Sequence, residues 1–305
     1  MGMKAKNIRI VIRKKLREWW NSIKDEEVRK LAEENTIVTG GAIASMLLGE
    51  EVKDFDVYFR TQEATRRVAS YYVDLFKEDN TDKFNIRIEV LEDRVSVIVK
   101  SAGIATEKDG TNDYQYFEMT NPEDNEAEEY LQSVVDVDVD ASDDEEEGKR
   151  KKYRPKFMTT NAITLSDKIQ IVTRFFGEPQ NIHENYDFIH CTSYYTSWNG
   201  QLEIPKEALL SLMSKELRYV GSKYPICSIL RLRKFIDRGW YITAGQVMKM
   251  CWQAAELDLS DFDVLKEQMT GVDFAYFQEI IEALSKKDEK RVDGAYLFEL
   301  LDRIF

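Results

Sequence analysis

The chain has 305 residues, 43% of them hydrophobic, with 15 Phe, 15 Tyr and 5 Trp. Such a composition excludes a disordered tail and supports one large core or two modest ones. The formal net charge of −13 is concentrated, because residues 121–147 hold 13 Asp and Glu and no Lys or Arg, leaving 43 acids against 43 bases elsewhere. A balanced remainder keeps nucleic acid admissible as a partner, since binding follows the local patch rather than the total.

The N-terminal stretch MGMKAKNIRIVIRKKLREWW is basic and partly apolar, with no apolar run of the length a secretory signal or membrane span needs. It reads as an amphipathic helix or strand packed on the body, with a basic arm touching RNA or a membrane as the alternative. Asp25 to Asn35 reads as a helix end and Thr36 to Thr39 as a short buried strand. Gly40-Gly41 turns the chain into an apolar helix over Ala42 to Leu48, closed by Gly49. Phe55 to Phe59 follows as a strand with Phe55, Val57 and Phe59 on one face and Asp54, Asp56 and Tyr58 on the other.

Glu63 to Lys77 has helical periodicity, and Asn85 to Val90 with Arg94 to Lys100 reads as a hairpin turned at Glu92-Asp93. Residues 106–156, acidic and then basic at Lys149 to Lys152, read as an inserted surface loop. Strand patterns resume at Ala162 to Leu165 and Ile169 to Phe175, and helical periodicity dominates from Lys206 onward. The expected organisation is a basic helical segment over 1–35, an α/β (α+β) head with a mixed sheet over 36–205, and an all-helical neck and body over 206–305. Cys191, Cys227 and Cys251 have no paired spacing, which predicts free thiols in a reducing, cytoplasmic setting.

Two carboxylates one residue apart on a strand project to the same side and can share a pair of divalent cations. Asp54-Phe55-Asp56 has that spacing, and Gly40-Gly41 before a helix offers backbone N–H groups to phosphate oxygens. A strand-end surface cap and an ordinary turn are the plainer readings of the same residues. Val135 to Ala141 also alternates Val and Asp, but no Gly-Gly turn precedes it and like charge surrounds it. Asp136 to Glu147 imitates a calcium loop without the glycine at its sixth position, which favours a solvated acidic loop. His183, His190 and Cys191 lack further ligands at zinc spacing and read as core or pocket lining. Tyr194, Tyr195 and Trp198 could stack a base, though packing is the simpler role.

The string GGAIASMLLGEEVKDFDVYF, Gly40 to Phe59, resembles the nucleotidyltransferases of the poly(A) polymerase and tRNA CCA-adding class in its order of Gly-Gly, Leu-Leu-Gly and Asp-x-Asp. Ile169 to Ser193 is similar to the strand and Asp-Phe element that lines the family's nucleotide pocket. Ile229 to Ile242 resembles its neck helix, which begins with Leu-Arg and closes on a turn with a glycine and an aromatic. The wording of the middle and neck resembles a bacteriophage-encoded branch. The resemblance spans residues 30 to 245 without the acidic insertion.

What the resemblance implies is a nucleotidyltransferase-fold head followed by a helical neck and body. The implied enzyme transfers a nucleoside monophosphate from an NTP to an acceptor hydroxyl, an RNA 3′ end in this class, and releases pyrophosphate. Asp54 and Asp56 would hold Mg2+ or Mn2+, Gly40 and Gly41 would cradle the triphosphate, and Asp187 and Arg231 would line the nucleotide pocket. No membrane partner is implied. Departures are Ala44-Ser45 in place of an Arg-Asp pair, Asn185-Tyr186 in place of arginines, and Gln170 where many members carry a third carboxylate, with Glu89 or Asp187 as substitutes. They leave two alternatives open: a catalytically silent binding module, or nucleotide transfer onto a protein or small molecule.

Overall fold

The computed structural model describes residues 2–79, 84–91, 94–101, 152–158, 161–268, 295 and 297–298. The expected insertion loop, apart from its last residues, the calcium-like window and the Glu92-Asp93 turn lie outside the described residues. The chain divides into two compact units, residues 1–117 with 152–257 and residues 118–151 with 258–305. In the second, helix Phe262–Gln268 begins where Asp261 accepts hydrogen bonds from the Asp263 and Val264 amides at 2.8 and 3.2 Å.

The first unit is built on a seven-stranded mixed sheet. Its strands are β1 (Thr36–Thr39), β2 (Phe55–Phe59), β5 (Pro155–Met158), β6 (Ala162–Leu165), β7 (Ile169–Phe176), β8 (Tyr194–Thr196) and β9 (Gln201–Glu203). They run in the order β5-β6-β7-β2-β1-β8-β9, with β2 and β7 parallel and the other pairs antiparallel. Strands β3 (Phe84–Val90) and β4 (Val95–Ser101) form a separate antiparallel hairpin.

The N-terminal stretch forms helix α1 (Ala5–Ser22), packed on the body by one face. Ile8, Ile12, Leu16 and Trp19 recur at helical spacing and are fully buried, while Arg9, Arg13, Lys14 and Arg17 between them are exposed and Lys15, partly buried, lies over the Tyr153 ring. Helix α2 (Glu26–Asn35) starts at Asp25, whose side chain accepts from the Glu27 and Val28 amides at 2.9 and 3.0 Å. Helix α3 (Gly41–Leu48) is apolar apart from Ser45 because two of its sides are buried. Ala42, Ile43 and Met46 join the main core, and Ala44 joins a second apolar cluster with Phe188, Leu212 and Trp240. Helix α4 (Gln62–Asp79) packs Ala64, Val68, Ala69, Tyr72 and Val73 into the same main core.

Alternation along β2 divides the sheet's two faces. Phe55, Val57 and Phe59 enter the core beneath α1 to α4, whereas Tyr58 joins Ile37 and Ile182 on the opposite face. Trp19 anchors the covered face, with its ring centroid 6.4 Å from Phe59 and its indole N–H donating to the Tyr72 hydroxyl at 2.7 Å. Trp19→Ala is expected to lower unfolding free energy by about 3–5 kcal/mol. Chemical denaturation would measure this, and Trp19→Phe should recover most of the packing without the hydrogen bond.

The other face carries helix α5 (Pro179–His183) and a 3-10 turn over Ile189–Cys191. After β9 come α6 (Lys206–Ser214), α7 (Pro225–Asp237) and α8 (Ala244–Ala254), with the two-residue parallel strands β10 (Glu216–Leu217) and β11 (Tyr241–Ile242) between them. Among the described residues from Lys206 to Gln268, the named elements are therefore helices apart from this short pair.

Candidate functional site

The antiparallel register sets Thr39, the last residue of β1, opposite Asp56 on β2, and the parallel register sets Gln170 of β7 beside Asp56 on the other flank. Asp54 precedes the strand by one residue, so both acids sit where β2 begins and β1 ends. Two-residue periodicity turns Asp56 to the face opposite the main core, the side of Tyr58 and Ile37.

Both acids are partly buried. Burial lifts the Asp54 carboxyl above the ordinary carboxylate range, offset in part by the charges of Lys234, Lys53 and Lys168. Asp56 is pushed up further, first by burial and then by repulsion from Asp54. Among the described residues neither carboxylate has a basic group within 4.0 Å.

Gly40 explains how the turn comes so near the acids. A Cβ there would stand 2.8 Å from Oδ2 of Asp56 and 3.5 Å from the Tyr186 hydroxyl, and its φ of +92° is a region that side chains rarely occupy. Its own N–H donates to the Cys191 carbonyl at 3.1 Å. Gly41 is exposed, and a Cβ there would meet nothing within 4 Å. The amides available to an anion are thus those of the first turn of α3, which begin at Gly41 and lack intrahelical acceptors.

A polar network that sequence patterning did not reveal supports this corner. The Thr39 hydroxyl lies 2.8 Å from Nε2 of His183 and 3.0 and 3.3 Å from the carbonyls of Ser193 and Cys191. Carbonyls only accept, so the single hydroxyl proton goes to them and the imidazole N–H donates to Thr39. Burial lowers the His183 pKa to about 4, which keeps the ring neutral in that role. Tyr186 donates to the Tyr58 hydroxyl at 3.2 Å, and burial raises both phenols, with Asp56 adding to the rise. Thr39 could have been found from the antiparallel register of β1 with β2, whereas His183 and Tyr186 arrive from α5 and the loop after it through tertiary packing alone.

Asp187 and Arg231 meet. The guanidinium donates to Oδ2 of Asp187 at 2.8 Å, while Oδ1 accepts from the Phe188 amide at 3.1 Å. Both charges, with Asp56, act on the partly buried Cys191 thiol, whose pKa burial raises first and whose rise Asp187 and Asp56 increase and Arg231 opposes. These residues therefore share one electrostatic neighbourhood. Glu89 lies on the separate β3–β4 hairpin and is exposed.

The remaining sequence candidates separate. His183 packs against Tyr186 and Tyr194, while His190 sits among Phe188, Phe235 and Trp240, its ring 4.3 Å from the Trp240 ring. Tyr194 and Trp198 lie on the face of Ile37 and Tyr58, but Tyr195, turned over by strand alternation, is buried in the opposite core. The three cysteines are free. No helix among the described residues is long and apolar enough to cross a membrane.

Among the described residues no group of three or more His, Cys, Asp or Glu converges on a metal-sized point. The Asp54–Asp56 pair nonetheless fits a hard divalent cation. It offers oxygen donors alone, and the burial that lifts both carboxyls, with the repulsion that Asp54 adds at Asp56, is relieved by a double positive charge.

A family model described as "Gabija anti-defense 2 family protein" matches residues 10–215. A curated relative, "Gabija anti-defense 2" of Bacillus phage SPbetaL7, is 23% identical over 124 residues, 40% of this chain. The match spans 30% of that relative's length. Among solved structures, the Thermotoga maritima CCA-adding enzyme complexed with tRNA is 12% identical, with 90% of this chain and 54% of that one covered at a TM-score of 0.39. The Bacillus stearothermophilus CCA-adding enzyme in complex with CTP is also 12% identical, with 88% and 52% covered at 0.40.

Proposed function

Because the chain belongs to the Gabija anti-defense 2 family, we propose that it serves an anti-defense role as a nucleotidyltransferase, moving a nucleoside monophosphate from an NTP to an acceptor hydroxyl. The acceptor is an RNA 3′ end, a choice taken from the sequence resemblance, since a fold does not fix its substrate. The observation that carries the reading is the corner itself: Asp54 and Asp56 beside a glycine turn whose Cβ would lie 2.8 Å from Asp56, next to the open first turn of α3.

Asp54 and Asp56 would bind Mg2+ or Mn2+, which when bound neutralises triphosphate charge and acidifies the acceptor hydroxyl. The amides from Gly41 onward would receive phosphate oxygens, and Gly40, lacking a side chain, would keep the approach open. Thr39, held by His183 and two carbonyls, fixes the end of β1 against Asp56. The Asp187–Arg231 pair would close the pocket from the side of α7. In this assignment residues 36–205 are the transferase head and 206–305 its neck and body.

A second reading has its own support: Gln170 stands in register with Asp56, and the Tyr58–Tyr186 pair occupies the face beside it. It makes the chain a silent relative that retained the fold for binding. Incubating the protein with each α-labelled NTP, Mg2+ or Mn2+, and a mixed RNA pool separates the two. Cation-dependent label on RNA supports the transferase, and label on protein or a small molecule changes its acceptor. Absence of label on all three acceptors, with the protein folded, favours the silent module.

A further inference from the structure

Helix α1 buries one face and leaves another strongly basic. The first 22 residues hold seven Lys and Arg against the single acid Glu18, in a chain whose total charge is −13. Lys6, Arg9, Arg13 and Arg17 are all exposed. Helical geometry at 100° per residue sets them within a sector of about 80° that flanks the buried face of Ile8, Ile12, Leu16 and Trp19, its centre about 110° round the helix from theirs. The stripe runs about 16 Å along the helix. Arg9, Arg13 and Arg17 all lie within electrostatic reach of Tyr195, on the sheet strand nearby, where their charges oppose the rise that burial imposes on its phenol.

Elsewhere the described arginines are largely neutralised: Arg60, Arg67, Arg218 and Arg238 each hold a carboxylate. Among the described residues none of the four stripe cations has a carboxylate within 4.0 Å. Unpaired guanidinium groups at regular intervals are an anion-binding surface.

The helix's apolar face is already spent in the protein's own core, so it cannot enter a bilayer in the manner of an interfacial helix. Its outward apolar surface is Ile10, 55% exposed. An acidic protein would have to supply four carboxylates in register. A nucleic-acid strand carries one phosphate at every nucleotide, a repeat of ~3.4 Å of helix axis per strand in a duplex, so it presents regularly spaced charge to a regularly spaced stripe.

We propose that Lys6, Arg9, Arg13 and Arg17 form a docking strip for the phosphate backbone of a nucleic acid, on the opposite side of the sheet from Asp54 and Asp56. The strip reads no bases: four cations on one helix face contact phosphate, which positions a strand without specifying sequence. It is independent of the transferase reading, because it uses neither the acidic pair nor the glycine turn.

The test is fluorescence anisotropy of the full chain with labelled 20-nucleotide RNA and 20-base-pair DNA between 50 and 200 mM salt. Four phosphate contacts predict that affinity falls about 50-fold for the single strand and about 150-fold for the duplex over that range. Lys6→Gln/Arg9→Gln/Arg13→Gln/Arg17→Gln, exposed changes checked by melting temperature, should weaken binding at least 10-fold at 100 mM salt. It should also remove that share of the salt dependence. Unchanged affinity and salt slope in the quadruple variant overturn the proposal. So does equal binding of poly-glutamate, or stripe-dependent binding of phosphatidylserine vesicles in the absence of nucleic-acid binding.

Discussion

Asp56→Asn is expected to stabilise the cation-free protein while removing cation-dependent transfer. An amide keeps the shape of the side chain but relieves the burial and the repulsion from Asp54 that push the carboxyl upward. One pKa unit corresponds to about 1.4 kcal/mol, which raises the melting temperature by about 2–4 °C for each kcal/mol in a domain of this size. Transfer should fall by more than about 100-fold, the upper end for losing mere outer-sphere support of a metal.

The pH dependence has a definite sign. The folded acid holds its proton more tightly than the unfolded one, so the folded state binds more protons between the two pKa values and loses stability as pH rises through that window. Wild type and variant should therefore converge near pH 4 and diverge toward pH 8, where Mn2+ should stabilise only wild type. Thermal melts across pH, with and without cation, read all of this. A variant no more stable than wild type at pH 8 would show that the acid pair carries no strain for a cation to relieve.

Gly40→Ala should be nearly as damaging, by a different route. The added methyl would lie 2.8 Å from Asp56 Oδ2 on a backbone at φ +92°, so either the turn or the carboxylate must move. A loss of about 1–3 kcal/mol follows from the backbone conformation alone, and displacing a positioned acid by 1 Å can lower a reaction about 100-fold. Gly41→Ala is the matched control, since its methyl enters open space at the N-terminus of α3. Comparable melting temperatures for the two variants, measured with their Mn2+ responses, would contradict the geometry.

The pieces that were legible in the sequence are those with strong local signals. Thr36–Thr39, Phe55–Phe59 and Ala162–Leu165 have the bounds expected of them, and Gly41–Leu48 and Ile169–Phe176 differ by one residue at one end. Apolar alternation, a glycine turn and a left-handed glycine closing α3 announce them before any tertiary contact is known. Strands Tyr194–Thr196 and Gln201–Glu203 were not legible, because three residues cannot establish a period and their pairing with β1 is long-range. The aromatic run at 194–198 looked like a single cluster for the same reason: without the strand, nothing divides Tyr194 from Tyr195. At the acidic corner, Asp54, Asp56 and Gly40 announce themselves by spacing. The donation from His183 and the closure by Tyr186 depend on residues about 130–145 positions away.

The pairing order of the sheet also determines when it can exist. Strand β1 meets β2 across a short span of chain, Thr39 opposite Asp56, but its other edge waits for Tyr195, and Asp56 waits for Gln170. At about 5–20 residues per second of synthesis, the edge of β1 stays unpaired for on the order of ten seconds after β2 has emerged. An open edge of Ile and Val between threonines is a template for stray strand pairing. The acidic corner is thus among the last parts of the head to be completed on the ribosome, and yield in the cell should depend on chaperones that shield a nascent chain at that stage.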